Sequence, residues 1–382
     1  MLQNLDNAHS SLANLAQTVM HRKAQKEDLL VNTQGLFYTA DADTKKPLVI
    51  VEGQGGEPTR TLKVNDVAFT DIAGKANIDV RTARRLQEGY TDQYTALINA
   101  IWQKEPSNRM TRSFMQDPRN GILRAWLSDS YKVYDNEDFL EAVLPVLAES
   151  DAQWEVQNAV VTDHKLYARF RSRVIEGEGA NVGDLMALGV GISNSEVGRG
   201  AVDMYQMTWT LACLNGMQTQ NRQKSAHIGG AKGDSELMKI LSPEAKQADS
   251  HATSLKLRDV AANFASRESF ESVLEKMRGA SDDVLEGTYQ VGAVKKLTQV
   301  LKLPQKREES ILEGLIKTCG QNGYAGQPIS RATMLNAVTA CAHNADADSV
   351  DDWQAAGGRV LNMSRADWSA VSRASIKEPV AA

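Results

Sequence analysis

The chain has 382 residues, 42% hydrophobic and 24% charged, which supports a folded core in two or three domains or one large one and excludes a disordered tail. Forty-three basic against 48 acidic residues leave a net charge of −5, which argues against a constitutive coat on duplex DNA and leaves room for a local cationic patch. No apolar run approaches the roughly 18 residues of a membrane span, so no membrane partner is expected.

The opening stretch, MLQNLDNAHSSLANLAQ, lacks the charged and apolar regions of a signal peptide, which points to the cytoplasm. Leu12, Leu15, Ala16, Val19 and Met20 recur at helical spacing. LFYTA and PLVIVEG then read as two strands around the turn residues DADTKK. From Asn77 the pattern is helical, with Leu86, Tyr90, Tyr94, Leu97, Ile98 and Ile101 on one face. A short extended piece at GILRAWL precedes a further helix, for which Asn136 is the expected N-cap. Residues 1–150 therefore form a mixed, mostly helical region.

Residues 151–235 change character. Residues 154–161 and 165–174 form a long β-hairpin turned at Thr162, Asp163 and His164. The glycine-rich MALGVGISNSEVGRG follows, and AVDMYQMTWTLACL alternates strictly up to Asn215-Gly216. QTQNRQKSAH reads as a polar helix. Residues 236–382 carry five helical patterns broken by Pro304, Gly320 and Gly323. The fold class is α+β: a central antiparallel sheet, a long hairpin plus further strands, flanked by N-terminal and C-terminal helical regions.

Catalytic signatures are missing. GQGGEP has no third glycine for a dinucleotide loop, and there is no GxxxxGK[ST], GxSxG or HExxH. Asp129, Asp135 and Asp138 fit a helix start better than a nuclease metal site. Cys213, Cys319 and Cys341 are far apart, and the six histidines are scattered. No cofactor, no metal and no enzymatic activity are expected.

Three features carry chemistry. Along residues 165–174, Leu166, Ala168, Phe170 and Val174 face one way. Lys165, Tyr167, Arg169, Arg171 and Arg173 face the other, with successive cations roughly 6.6 Å apart. Such a row can follow a phosphate backbone while Tyr167 stacks a base. The competing reading is a charged edge or pairing with Glu155 on the adjacent strand. In the loop ISNSEVGRG, Arg199 is the candidate anion contact, against an ordinary Asx and Ser turn. From Ala73 to Leu86 the rhythm is that of a helix-turn-helix, with Arg81, Arg84 and Arg85 on its second helix.

WLSDSYKVYDNEDFLEAVLPVL, GVGISNSEVGRGAVDMYQMTWTLACLNGM and MLNAVTACAHN occur in that order. Over roughly residues 60–360 the chain resembles the phage/plasmid-like proteins grouped as domain of unknown function 932. The resemblance implies a mobile-element setting and no established activity. By fold-level analogy with annealing recombinases, the expected function is ATP-independent binding or annealing of single-stranded DNA by a homo-oligomer. Lys165, Tyr167, Arg169, Arg171, Arg173 and Arg199 are its expected contacts. The alternatives are a duplex DNA binder using residues 73–86 and a non-enzymatic protein that targets a host factor.

Overall fold

The computed structural model describes residues 2–53, 56–179, 185–211, 215–225, 242–320 and 325–376. It is an α+β protein with two sheets. The first has six strands, β1 (Lys26–Asn32), β2 (Leu36–Ala40), β3 (Pro47–Val51), β4 (Arg60–Val64), β5 (Asn108–Met115) and β6 (Asn120–Ser128), in the order β1-β5-β6-β4-β3-β2. All its pairs are antiparallel except β4 with β6. The described part of residues 1–150 thus combines five helices with a six-stranded sheet that sequence reading resolved only in part. Several of these strands are five residues long, too short to display a clear period.

Three helices close one face of that sheet: α2 (Asp66–Lys75), α3 (Val80–Gly89) and α4 (Thr91–Lys104). The single helical stretch expected after Asn77 breaks at Tyr90, where the backbone leaves helical angles. Between sheet and helices lie Tyr38, Leu62, Ile72, Tyr94 and Ile98, all buried. Trp102 stacks on Trp126 with ring centres 5.0 Å apart.

The second sheet is an antiparallel meander of β7 (Trp154–Val161), β8 (Leu166–Glu178), β9 (Leu185–Asn194), β10 (Val202–Thr210) and β11 (Asn215–Ser225), in the order β11-β10-β9-β8-β7. The hairpin of β7 and β8 closes at Val161 and Leu166, as its alternation predicts. The polar segment after Gly216 is not a helix. Residues 218–225 pair with β10 as part of β11, and residues 226–227 lie outside the described residues. Its polar side chains belong to an edge strand, where apolar alternation is not required.

One face of the second sheet packs against α1 (Leu2–Gln25), α5 (Asn136–Glu149) and α6 (Pro243–Phe264). Leu15, Phe139, Val143, Phe170, Ile192, Met204 and Leu257 share this core. Because α1 and α5 serve the second sheet, the boundary expected at residue 150 cuts through one packing unit. Helices α7 (Arg267–Asp282), α8 (Gln290–Val300), α9 (Glu308–Cys319), α10 (Arg331–Ala340), α11 (Ala347–Leu361) and α12 (Arg365–Ala374) follow. They share a core with Ile175, Met186, Leu188 and Met217 of the sheet. Helix α11 lies against β11 so closely that a Cβ on Gly358 would stand 2.0 Å from the Gln218 carbonyl oxygen.

Candidate functional site

The alternation of β8 holds through Phe170 and then stops. Leu166, Ala168 and Phe170 face the core with α5 and α6, as predicted. Past Arg171 the register shifts until Glu176. There Ser172 Oγ donates to the Ala152 carbonyl and accepts from the backbone N–H groups of Val174 and Ile175. This bulge re-aims the strand. Val174 is exposed instead of buried, and Ile175 takes its inward place.

The cations of β8 do not form an open row. Tyr167 and Arg169 are each 1% exposed. Arg171 donates to Glu155 Oε2 at 2.6 Å, and Arg173, beyond the bulge, lies 3.9 Å from the same carboxylate. Lys165 is half-buried, with its Nζ 5.8 Å from the centre of the Tyr167 ring. The Arg169 guanidinium lies 5.5 Å from the same ring centre. Arg199 pairs with Asp71 at 2.8 Å and donates to the Val67 carbonyl, which ties the loop after β9 to α2. The six expected contacts are therefore split among three settings: a buried centre, a paired edge and an inter-sheet strap.

The buried centre is a socket for an anionic oxygen. Asp351 Oδ1, from the second turn of α11, accepts from Arg169 Nη2 at 2.7 Å, Tyr205 OH at 2.6 Å and Gln218 Nε2 at 3.1 Å. β9 makes room for it. A Cβ on Gly191 would lie 2.1 Å from the Tyr205 ring, so only glycine lets that ring lie across the strand toward Asp351. Burial opposes the charge of Arg169, and Tyr205 and Asp351 restore it, with the net effect of raising its pKa. Burial also raises the Tyr205 phenol, with Asp351 adding to the effect, so Tyr205 remains a donor. Arg169 Nε and Nη1 have no partner, nor does Gln218 Oε1. Buried donors without partners cost about 1–3 kcal/mol each; Arg124, at the joint between the sheets, likewise carries two unpartnered nitrogens.

A second cluster lies where the two sheets meet. Glu196, from the loop after β9, accepts from Lys26 Nζ at 2.6 Å, Arg124 Nη1 at 2.7 Å and the Asn136 backbone N–H at 2.8 Å. Arg112, fully buried, donates to the Glu196 carbonyl and pairs with Asp28 and Asp135. Burial favours the neutral Glu196 carboxyl. Arg124, Lys26 and Arg112 together outweigh that and bring its pKa down to about 2. The N-cap of α5 is Asp135, not Asn136, and its side chain serves Arg112 while Glu196 receives the first N–H of the helix. The ligand oxygens of Asp135, Glu137 and Glu196 lie within 4.8 Å of one another, a spacing that suits a cation. Lys26 Nζ, 2.6, 2.7 and 3.5 Å from Glu196, Glu137 and Asp135, is the cation among them.

Sequence reasoning missed Glu196 as a hub and Asp351 altogether. Asp351 is 182 positions from Arg169, and no local pattern links them. A buried-network function for Glu196 was signalled only by an acid between Ser195 and Val197 in a loop otherwise lacking acids. Cys213 lies outside the described residues, while Cys319 and Cys341 are free thiols, with burial raising Cys341 to about 11. No helix among the described residues is long and apolar enough to cross a membrane.

A two-sheet α+β protein whose sheets are joined by a buried ionic hub, with an anion-type socket under a C-terminal helix, is the class these features define. Residues 125–346 match the family described as Domain of unknown function (DUF932), and the chain belongs to that family. The matched span runs from within β6 to the residue before α11, and includes Glu196, Asp135 and Arg169 but not their partners Lys26, Arg112, Arg124 and Asp351. No curated protein and no solved structure matches the chain.

Proposed function

We propose that the protein binds single-stranded DNA without ATP, and anneals it, in the service of a phage or plasmid. The observation that carries this reading is the Asp351 socket. Three donors converge on one carboxylate oxygen beside an aromatic ring, and two further nitrogens of Arg169 remain unpaired. A phosphate presents several strong acceptor oxygens and fits a guanidinium fork better than a single carboxylate does. In this reading Asp351 is an internal stand-in for phosphate, and the strand enters when the first turns of α11 give way. Lys165 and Lys224 on the same face of the sheet guide the backbone toward the socket, with Arg222 beside them. Arg222 pairs with Asp203 and lies over the Tyr205 ring at 5.6 Å. The mechanism is charge neutralisation by a homo-oligomer and includes no catalytic step.

The test is fluorescence anisotropy of a labelled single-stranded oligonucleotide at about 50 and 200 mM salt, without nucleotide or metal. Lys165→Ala together with Lys224→Ala should lower the salt slope by about 1.4, two contacts at about 0.7 each. An unchanged slope and affinity would remove both lysines from the path of the strand.

A further inference from the structure

We infer that α3 is a second, separate nucleic-acid surface, one that takes duplex DNA. Local structure fixes the element first. Asn65 caps α2 by accepting from the Ala68 N–H, and Asn77 closes the turn after it in the left-handed region at φ 55°. Asp79 then caps α3 by accepting from the Thr82 N–H at 3.0 Å. The left-handed residue lets the chain reverse in the short link between the two helices, and asparagine is among the few side chains that tolerate it.

Packing then sets which face is presented. Only Ala83 and Gln87 of α3 are buried. Gln87 accepts from Tyr38 OH at 2.8 Å and donates to the Lys45 carbonyl at 2.8 Å. One side-chain amide thus locks α3 to β2 and to the turn between β2 and β3. That turn places Lys45 and Lys46, both exposed, beside the C-terminal half of α3. On the outward face stand Arg81, Arg84 and Arg85, all exposed. Their spacing of three and four residues puts them on one stripe with Cβ atoms about 5–6 Å apart. Arg84 shares its charge with Asp66 at 2.6 Å, both largely in solvent. Arg81 and Arg85 form no salt bridge among the described residues. Of the nearby acids, Asp79 caps the helix and Asp41 accepts from Thr44 and Asp43 within the turn, while Glu88, exposed on α3 three and four residues after Arg85 and Arg84, is the one acid on the stripe itself.

Five cations on a rigid ten-residue helix and an adjoining turn match the phosphates that border a major groove. A helix of this length is about 15 Å long and is admitted by the major groove of B-DNA, about 12 Å wide. The deep, narrow major groove of A-form RNA excludes it. The stripe carries guanidinium groups and no ring between them, which suits backbone contact and not base stacking. This surface is remote in sequence from β8 and does not depend on the single-strand reading.

The experiment uses the full chain, a labelled duplex of about 20 base pairs and a single strand of equal length, each at about 50 and 200 mM salt. Arg81→Ala with Arg85→Ala should reduce the duplex salt slope by about 1.8, two contacts at about 0.9 each. Single-strand affinity should stay the same. Both side chains are exposed, so circular dichroism and melting temperature should match the parent, and Arg81→Lys with Arg85→Lys should restore most of the slope. No duplex binding by the parent protein, or an unaltered slope in the alanine variant, would overturn the inference. An equal loss of binding to duplex and to heparin would also overturn it, because the stripe would then be a general polyanion or acidic-protein contact. Loss of duplex binding alone in the Arg81 and Arg85 variant, with an unchanged single-strand slope in the Lys165 and Lys224 variant, would count against the sheet reading and leave this one standing.

Discussion

Replacing Glu196 with glutamine strips the joint between the two sheets of its central charge. The carboxylate neutralises Lys26 and Arg124 and receives the first N–H of α5, and its side chain is 4% exposed. An uncompensated buried cation typically costs about 3–5 kcal/mol. The glutamine amide would keep one acceptor, so the loss should fall at the lower end, about 3 kcal/mol. The acid dependence is the sharper signature. The folded carboxyl has a pKa of about 2 against an ordinary 4.5, so its stabilisation is complete above about pH 4.5 and fades as the pH falls toward 2. By about pH 3 roughly 2 kcal/mol of it should be gone, at about 1.4 kcal/mol per pKa unit. Urea unfolding followed by tryptophan fluorescence, where the Trp102–Trp126 stack reports on the first sheet, measures both quantities. Parent and variant should differ by about 3 kcal/mol near pH 7 and by about 1 kcal/mol near pH 3. A difference that is small at neutral pH, or that does not shrink in acid, would refute a charge-based joint.

Arg169→Ala should destabilise the protein by about 3 kcal/mol, since the part-buried Asp351 would lose its cationic partner and keep only the Tyr205 and Gln218 hydrogen bonds; Arg169→Met with Asp351→Leu should recover most of that in the same urea assay. Lys165→Ala with Lys224→Ala, which alters binding under the proposal, should leave the stability within about 0.5 kcal/mol of the parent, because neither side chain carries a buried ion pair.

The β7–β8 hairpin, the two strands around DADTKK and the paired faces of β10 were legible because alternation and turn residues act over a few neighbours. Asn77 was legible as a turn for the same reason. What was not legible depends on distant partners. Ser172 bulges β8 by hydrogen-bonding its own neighbours, and this cancels the alternation that had put Val174 inside. Arg169 looked like a solvent-facing cation because Asp351 and Tyr205 arrive from α11 and β10. Asn136 looked like a cap because the competing acceptor, Glu196, lies 60 residues away. β11 reads as a helix because an edge strand of Gln, Asn, Arg and Lys has no apolar period to mark it.

The central claim, that Asp351 holds the place of a phosphate, is tested most directly by Asp351→Asn in the single-strand anisotropy assay. Asparagine keeps an acceptor for Tyr205 and Arg169 while removing the competing negative charge. Binding should tighten about tenfold, equivalent to about 1.4 kcal/mol, and the salt slope should steepen by about 0.7 as Arg169 gains a phosphate. Unchanged or weaker binding by a folded Asp351→Asn protein, with an unchanged slope, would show that the socket serves only to hold α11 on the sheet.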